Sequence, residues 1–376
     1  VPLLHKIAAA VIVCAVALGL TLPGERQRQP GSREAAHAGA VRDAAPPTAR
    51  SDPRAPARAG AASRAPSAPP SPSVPATLPP APPAAAAAKA NELGRVPVLM
   101  YHRILPKPQL SLDRSTKELR DELTRLARGG YVPITAAEFV SGRFDVPAGR
   151  HPVVLTFDDS TPGHFGLDAQ GNVKPDTAVA IIQEVARAHP GFRPVATFYA
   201  NKDLFGLGDQ AAAGLAWLTS RGFEIANHTV DHSDLSRLDR AAVQKEIGGM
   251  EDRLRAVTGR NTATFAYPFG SVPRKRDWAR KQDGRYDFQG MFLAGWQPSP
   301  SPFDSGFDRF AIARVRSEGK IKENDCQRFC SVAWLDHLDK NPQERYTSDG
   351  DPNAITIPRS AEERLAKDFR ARARVW

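Results

Sequence analysis

Cysteine is scarce, with three residues in a chain of 376. Cys14 sits inside the apolar run Ile7–Leu20 without the flanking pattern of a lipoprotein cysteine, so it reads as a membrane-facing residue. Cys326 and Cys330, spaced C-x3-C, have too few further ligands around them for a structural zinc site, and an extracellular disulfide is the expectation. The apolar run itself follows His5 and Lys6; it is long for a signal segment and short for a comfortable membrane span. Residues 1–25 are therefore read as a signal peptide or an N-terminal membrane anchor, with Ala36-His37-Ala38 as a distant cleavage candidate. Large apolar residues are almost missing from Arg26 to Ala90, which is Ala, Pro, Arg and Ser; such a stretch cannot bury enough surface to offset chain entropy. Residues 26–92 are thus expected to form a disordered, partly polyproline spacer.

A strong excess of charge is also missing from the remainder. Residues 1–90 hold ten Lys and Arg against four Asp and Glu, so only +4 of the formal +10 belongs to residues 91–376. That removes the case for nucleic-acid binding: the basic arm has no interleaved aromatics and suits an anionic membrane or wall polymer. No internal repeat is present. Residues 93–376 suit one large α/β domain.

Within it, strand-like runs alternate with helix-like stretches. The runs are Val96–Tyr101, Val153–Phe157, Val195–Tyr199, Phe223–Ala226, Thr264–Tyr267, Met291–Gly295 and Phe310–Val315. This alternation predicts a parallel sheet or barrel covered by helices. Ser115 and Glu118 form a capping-box pattern ahead of Leu119, Leu123 and Leu126, and Gly129-Gly130 stops that helix. Pro175 and Asp176 introduce a helix over 177–188, and Ser236 with Asp239 opens another that ends at Gly259. Ala354–Ile357 reads as a short strand.

Three segments carry chemistry. The apolar run Val153-Val154-Leu155-Thr156-Phe157 ends in Asp158-Asp159, two carboxylates where a parallel strand delivers its functional groups. A lone Asp-Asp is usually just a cap. The next strand runs into Asn227-His228-Thr229-Val230-Asp231-His232; two histidines four apart on a helical turn can share a cation and meet Asp159 at the barrel mouth. Two imidazoles and one carboxylate leave a position open for water. The third segment, Tyr267-Pro268-Phe269-Gly270, is either a plain turn or a bend that aims a backbone N–H at an oxyanion.

Together, Thr156-Phe157-Asp158-Asp159, His228-Thr229-Val230-Asp231-His232 and Tyr267-Pro268-Phe269-Gly270 resemble the motifs of the NodB-like polysaccharide deacetylases, carbohydrate esterase family 4. The opening Val96-Pro97-Val98-Leu99-Met100-Tyr101-His102 is similar to the start of the exopolysaccharide-deacetylase branch. The resemblance runs from Val96 to Gly270, with a motif core over 150–272. It implies a distorted (β/α) barrel of the glycoside hydrolase and deacetylase type and a divalent metal of the zinc kind held by Asp159, His228 and His232. Asp158 would be the base, and the product of hydrolysing an N-acetylated glycan would be acetate. The N-terminal apolar run and spacer add the expectation of action outside the cytoplasm, secreted or anchored at the envelope. The family's late His and its third-motif Arg have no match: His337 reads as a surface residue, and Arg314 either takes over the hold on Asp158 or makes a structural salt bridge. His102, at the end of the first strand, either faces the mouth or is a satisfied structural histidine. Tyr101, Phe269 and Trp296 are candidates for stacking on sugar rings or for ordinary packing. Two other readings share these residues: a small-molecule or cyclic amide hydrolase, and a silent glycan-binding wall module.

Overall fold

The computed structural model describes residues 77–318 and 330–376. The expected signal or anchor, the spacer as far as residue 76, and Cys326 lie outside the described residues. Cys330 is disulfide-bonded. Among the described residues no helix is long and apolar enough to cross a membrane.

Eight strands build one sheet: β1 Val98–Tyr101, β2 Tyr131–Ile134, β3 His151–Asp158, β4 Thr197–Ala200, β5 Glu224–Asn227, β6 Thr264–Ala266, β7 Gly290–Phe292 and β8 Val315–Arg316. All pairings are parallel, in the spatial order β7-β6-β5-β4-β3-β1-β8, with β2 against the start of β3. Isolated bridges, Phe292 to Ile312 and Trp296 to Val315, bring the two ends of this curled sheet together as a distorted barrel. Alternation along the strands sorts the side chains. Leu99, Tyr101, Val153, Leu155, Phe157 and Phe198 pack with the helices α1 Thr116–Arg128 and α3 Ala178–Ala188. Val98, Val154, Tyr199, Ala226, Ala266 and Phe292 form a second buried cluster. Asp158 has the parity of Val154 and Thr156, so it belongs to that second face at the end of β3.

The helix ends follow local chemistry. The capping box of Ser115 and Glu118 is closed in both directions, as is that of Thr135 and Glu138 ahead of α2 Ala136–Ser141. Thr177 caps α3, α4 spans Ala211–Ser220, and Asp239 caps α5 Arg240–Thr258, which stops at Gly259 in a left-handed turn with φ 75°. Ser236 lies in a preceding 3-10 turn and takes no part in that cap. α6 covers Ser331–Lys340.

Three differences from the sequence reading have physical causes. Strand β2 was not expected, because Pro133 breaks a strand pattern; it is tolerated since β2 pairs only with β3. The expected strand Phe310–Val315 shrinks to Val315–Arg316, with Ile312 making a single bridge. Packing against the domain extends before residue 93: Pro80 bridges Val375, Ala85 and Ala90 are buried, and Leu78 packs with Ile355, Ile357 and Val375. Those partners are β9 Ile355–Ile357 and β10 Ala373–Val375, nearly 300 residues on, which composition cannot reveal.

Candidate metal centre

Strand β3 hands over from Asp158 to Asp159 by a sharp change of backbone. Asp159 and Ser160 both adopt positive φ, 74° and 43°, which side-chain-bearing residues rarely do. The turn is held by Phe205, whose N–H donates to the Ser160 carbonyl at 2.7 Å, and by Asn201, whose N–H donates to the Ser160 hydroxyl at 3.3 Å. Both carboxylates nonetheless face His228 Nε2, Asp159 through Oδ1 at 3.6 Å and Asp158 through Oδ2 at 3.9 Å.

His228 and His232 are brought together differently from expectation. The segment after β5 is an irregular loop, with Thr229 and His232 at φ 66° and 53°, and not a helical turn. Asn227, the last residue of β5, accepts the Thr229 N–H at 2.9 Å and donates through Nδ2 to the Ile247 carbonyl and the Glu251 carboxyl, both at 3.0 Å. The Asp231 N–H donates to Glu246 at 3.0 Å. Helix α5 thus clamps the loop from one side.

Nδ1 of His228 faces the Ala266 carbonyl at 2.8 Å, so Nδ1 carries the proton and Nε2 is a free lone pair. That Nε2 lies 3.6 Å from Asp159 Oδ1, and His232 Nε2 lies 3.4 Å from the same oxygen. The three ligand atoms are within 4.8 Å of one another. Two ligands about 2.1 Å from a common ion at a tetrahedral angle would sit about 3.4 Å apart, so the donor set fits a zinc-sized cation. Burial lowers the pKa of His228, more than the charges of Asp158 and Asp159 raise it, and keeps the imidazole in the neutral form a ligand needs.

Asp158 is partnered elsewhere. Fully buried Arg314 grips it with two parallel bonds, Nη1 to Oδ1 at 2.7 Å and Nη2 to Oδ2 at 2.8 Å. Arg314 is itself fixed by the Leu293 carbonyl at 2.7 Å and Thr156 Oγ1 at 3.2 Å. Burial opposes ionisation of Asp158, but the Arg314 charge, then that of His228, and the Arg314 hydrogen bonds outweigh it and hold the carboxyl below the ordinary carboxylate range.

The remaining candidates divide. Tyr267 is buried with Phe265 and Phe288, its hydroxyl on Met291 Sδ at 3.5 Å and its N–H on the Phe292 carbonyl at 2.9 Å. It cannot offer that N–H to a ligand, and Pro268 has none, so within the turn the donor falls to Phe269. Phe269, at φ 58°, is 67 % exposed with its ring 4.4 Å from that of His232. Trp296 is 61 % exposed, and its carbonyl accepts the Trp334 indole N–H at 2.6 Å. A Cβ on Gly270 would come within 3.0 Å of Ala294 N, so the Phe269 turn and the segment leading to Trp296 adjoin. Tyr101 is buried, stacked on Phe157 and bonded to Glu122 at 2.6 Å; it is a core residue and no sugar platform. His337 is a surface histidine on α6, 2.9 Å from Glu344.

His102 departs from the satisfied reading. Its buried Nδ1 has no partner, and burial lowers its pKa against the opposing charges of Asp158 and Asp159. Its carbonyl meets His164 Nε2 at 2.6 Å. Only the position of His102 at the end of β1 signalled this.

Residues 145–286 match the family model of the polysaccharide deacetylases. The match spans both aspartates, both histidines and the Phe269 turn, and stops before Trp296 and Arg314. Among solved structures, a Streptococcus pyogenes deacetylase, PplD, in complex with acetate is 20 % identical, with a TM-score of 0.49 over 62 % of this chain and 98 % of that one. A polysaccharide deacetylase from Bacillus cereus is 22 % identical, TM-score 0.45, over 59 % and 64 %. IcaB from Ammonifex degensii is 20 % identical, TM-score 0.43, over 62 % and 94 %. No protein of curated function matches.

Proposed function

We propose, from the match of residues 145–286 to the family model of the polysaccharide deacetylases, that the chain hydrolyses N-acetyl groups on an envelope or extracellular glycan with the help of a divalent metal. The observation that carries this reading is the division of labour between neighbours: Asp159 converges with two imidazoles, while both oxygens of Asp158 are gripped by Arg314.

A divalent ion at Asp159, His228 and His232 would lower the pKa of water and polarise the acetyl carbonyl. Asp158, kept ionised by Arg314, accepts the proton of the attacking water. Arg314 fixes the direction of that carboxylate, and the Phe269 N–H would steady the developing oxyanion. The water oxygen bonds to the acetyl carbon, the carbon–nitrogen bond breaks, and the nitrogen takes back the proton held by Asp158. The products are acetate and a free amine. Phe269 and Trp296, exposed on adjoining segments, would flank a sugar chain with their ring faces.

Action outside the cytoplasm is supported by the apolar run Ile7–Leu20 and the Pro-rich stretch after it, which would let the domain reach a wall polymer. The direct test is acetate release from N-acetylglucosamine oligomers with zinc supplied. Wild type should release acetate, and Asp158→Asn should be slower by roughly 10²- to 10⁴-fold. Equal rates would remove Asp158 from the mechanism.

A further inference from the structure

The two imidazoles beside Asp159 are held in different ways. His228 leaves 2 % of its side chain exposed, and His232 leaves 30 %. Nδ1 of His228 donates to the Ala266 carbonyl, the usual means by which a metal-binding imidazole is oriented. Among the described residues no group hydrogen-bonds to Nδ1 of His232. Its ring neighbours are Phe269 at 4.4 Å and His228 at 4.9 Å, and Phe269 is itself 67 % exposed. The aim of His232 Nε2 therefore depends on the backbone that carries the ring.

That backbone is strained, with φ 53° at His232, a conformation that persists only where neighbours impose it. Glu246 of α5 meets the two residues just ahead. Its carbonyl accepts the Val230 N–H at 3.2 Å, and its carboxylate accepts the Asp231 N–H at 3.0 Å. The helix can come this close because Gly249 has no Cβ, which would stand 3.1 Å from Val230 Cγ2. On the opposite side Lys202 donates its N–H to the Val230 carbonyl at 3.2 Å and its Nζ to Asp231 at 2.7 Å. That ion pair is half exposed at both partners and must order two long side chains, so it holds little. The Glu246 bond orders one side chain against a backbone donor and is charge-assisted, which makes it the firmer tie.

We infer that Glu246 is a positioning residue for the metal centre, which aims His232 at the ion by fixing the backbone of Val230 and Asp231. It acts through the loop and supplies no ligand atom. The inference rests on the metal reading above and not on the substrate. Reach, and not charge, is what the role requires. Gln at this position keeps the reach and offers a neutral acceptor to the Asp231 N–H; Asp keeps the charge and withdraws the oxygens by one methylene group.

The test is the zinc dissociation constant of the full chain, by competition with a chromophoric chelator, in wild type, Glu246→Ala, Glu246→Asp and Glu246→Gln. The Ala and Asp variants should bind zinc roughly 10- to 100-fold more weakly, as for loss of a group that orients a ligand, and the Gln variant should stay close to wild type. Urea midpoints of the metal-free proteins should be alike, because the tie serves the ligand and not the core. Wild-type affinity in Glu246→Ala overturns the proposal, and so does a fall in the metal-free midpoint with affinity unmoved. An Asp variant equal to wild type beside a weakened Gln variant also overturns it, since charge and not reach would then be at work. A wild type that binds no zinc removes the metal centre and this role together. Zinc binding without acetate release from N-acetylglucosamine oligomers would remove the deacetylase reading and leave the role of Glu246 standing.

Discussion

At the scale of single residues, one backbone step separates two carboxylates of different character. Asp158 ends a regular strand and is locked to Arg314; Asp159 sits in a left-handed turn facing two imidazoles. The role of Arg314 leads to a prediction with a definite sign. With its folded pKa depressed, Asp158 contributes stability that is present above the ordinary carboxylate range and lost as pH falls below it. Arg314→Met leaves a buried carboxylate unpaired, and urea denaturation at neutral pH should show a loss of roughly 3 to 5 kcal/mol. The acid limb of kcat/KM should move upward in pH, because burial then dominates. A change in stability alone, with that limb unmoved, would mean that Arg314 serves only the fold. The sequence made Asp158, Asp159, His228 and His232 legible because they stand in short motifs at strand ends. Arg314 was legible only as a candidate, since it comes 156 positions after its partner. The unsatisfied Nδ1 of His102 was hidden for a related reason: hydrogen-bond satisfaction is decided by tertiary neighbours.

At the scale of elements, the site depends on how α5 clamps the loop from His228 to His232. Asn227 joins the two, holding the strained Thr229 backbone with one side of its amide and α5 with the other. Asn227→Ala strands the buried Thr229 N–H and removes a donor from Glu251, at a cost of about 1 to 3 kcal/mol. Metal affinity, measured by competition with a chromophoric chelator, should fall about 10- to 100-fold, as for loss of a group that orients a ligand. Unchanged affinity would show that the loop keeps its shape without the clamp. Helix ends were readable from sequence because a cap is a contact three residues long, as at Ser115 and Glu118. The loop was misread as a helical turn because four-residue histidine spacing fits a helix and says nothing of positive φ at Thr229 and His232. Strand β2 was missed because Pro133 masks a segment whose pairing is one-sided.

At the scale of the whole molecule, parallel strands of one barrel place the candidate metal site and His151 at opposite ends of β3. The His151 end also sets a pH limit on stability. Burial, then the Arg345 charge, pushes the pKa of His151 down to about 4, against an ordinary value of 6.5. Above pH 6.5 the ring is neutral folded or unfolded; as pH falls from 6.5 toward 4 the unfolded chain binds the extra proton and stability declines, by on the order of 3 kcal/mol from this group. Denaturation midpoints across that window should fall less steeply in His151→Gln. Equal slopes would assign the acid sensitivity to other groups. The architecture was legible in the alternation of strands and helices, whereas the inclusion of residues 77–92 was not. Their Ala-rich and Pro-rich composition gives no local signal, and their order comes from β9 and β10 near the far end of the sequence.

The central claim is that adjacent aspartates do separate work, one binding metal and one moving a proton. The most direct measurement is the divalent metal content of purified wild type, Asp158→Asn and Asp159→Asn by elemental analysis. About one ion per chain in wild type and in Asp158→Asn, with the ion lost from Asp159→Asn, is the predicted result. Retention in both variants, or loss from both, would contradict it.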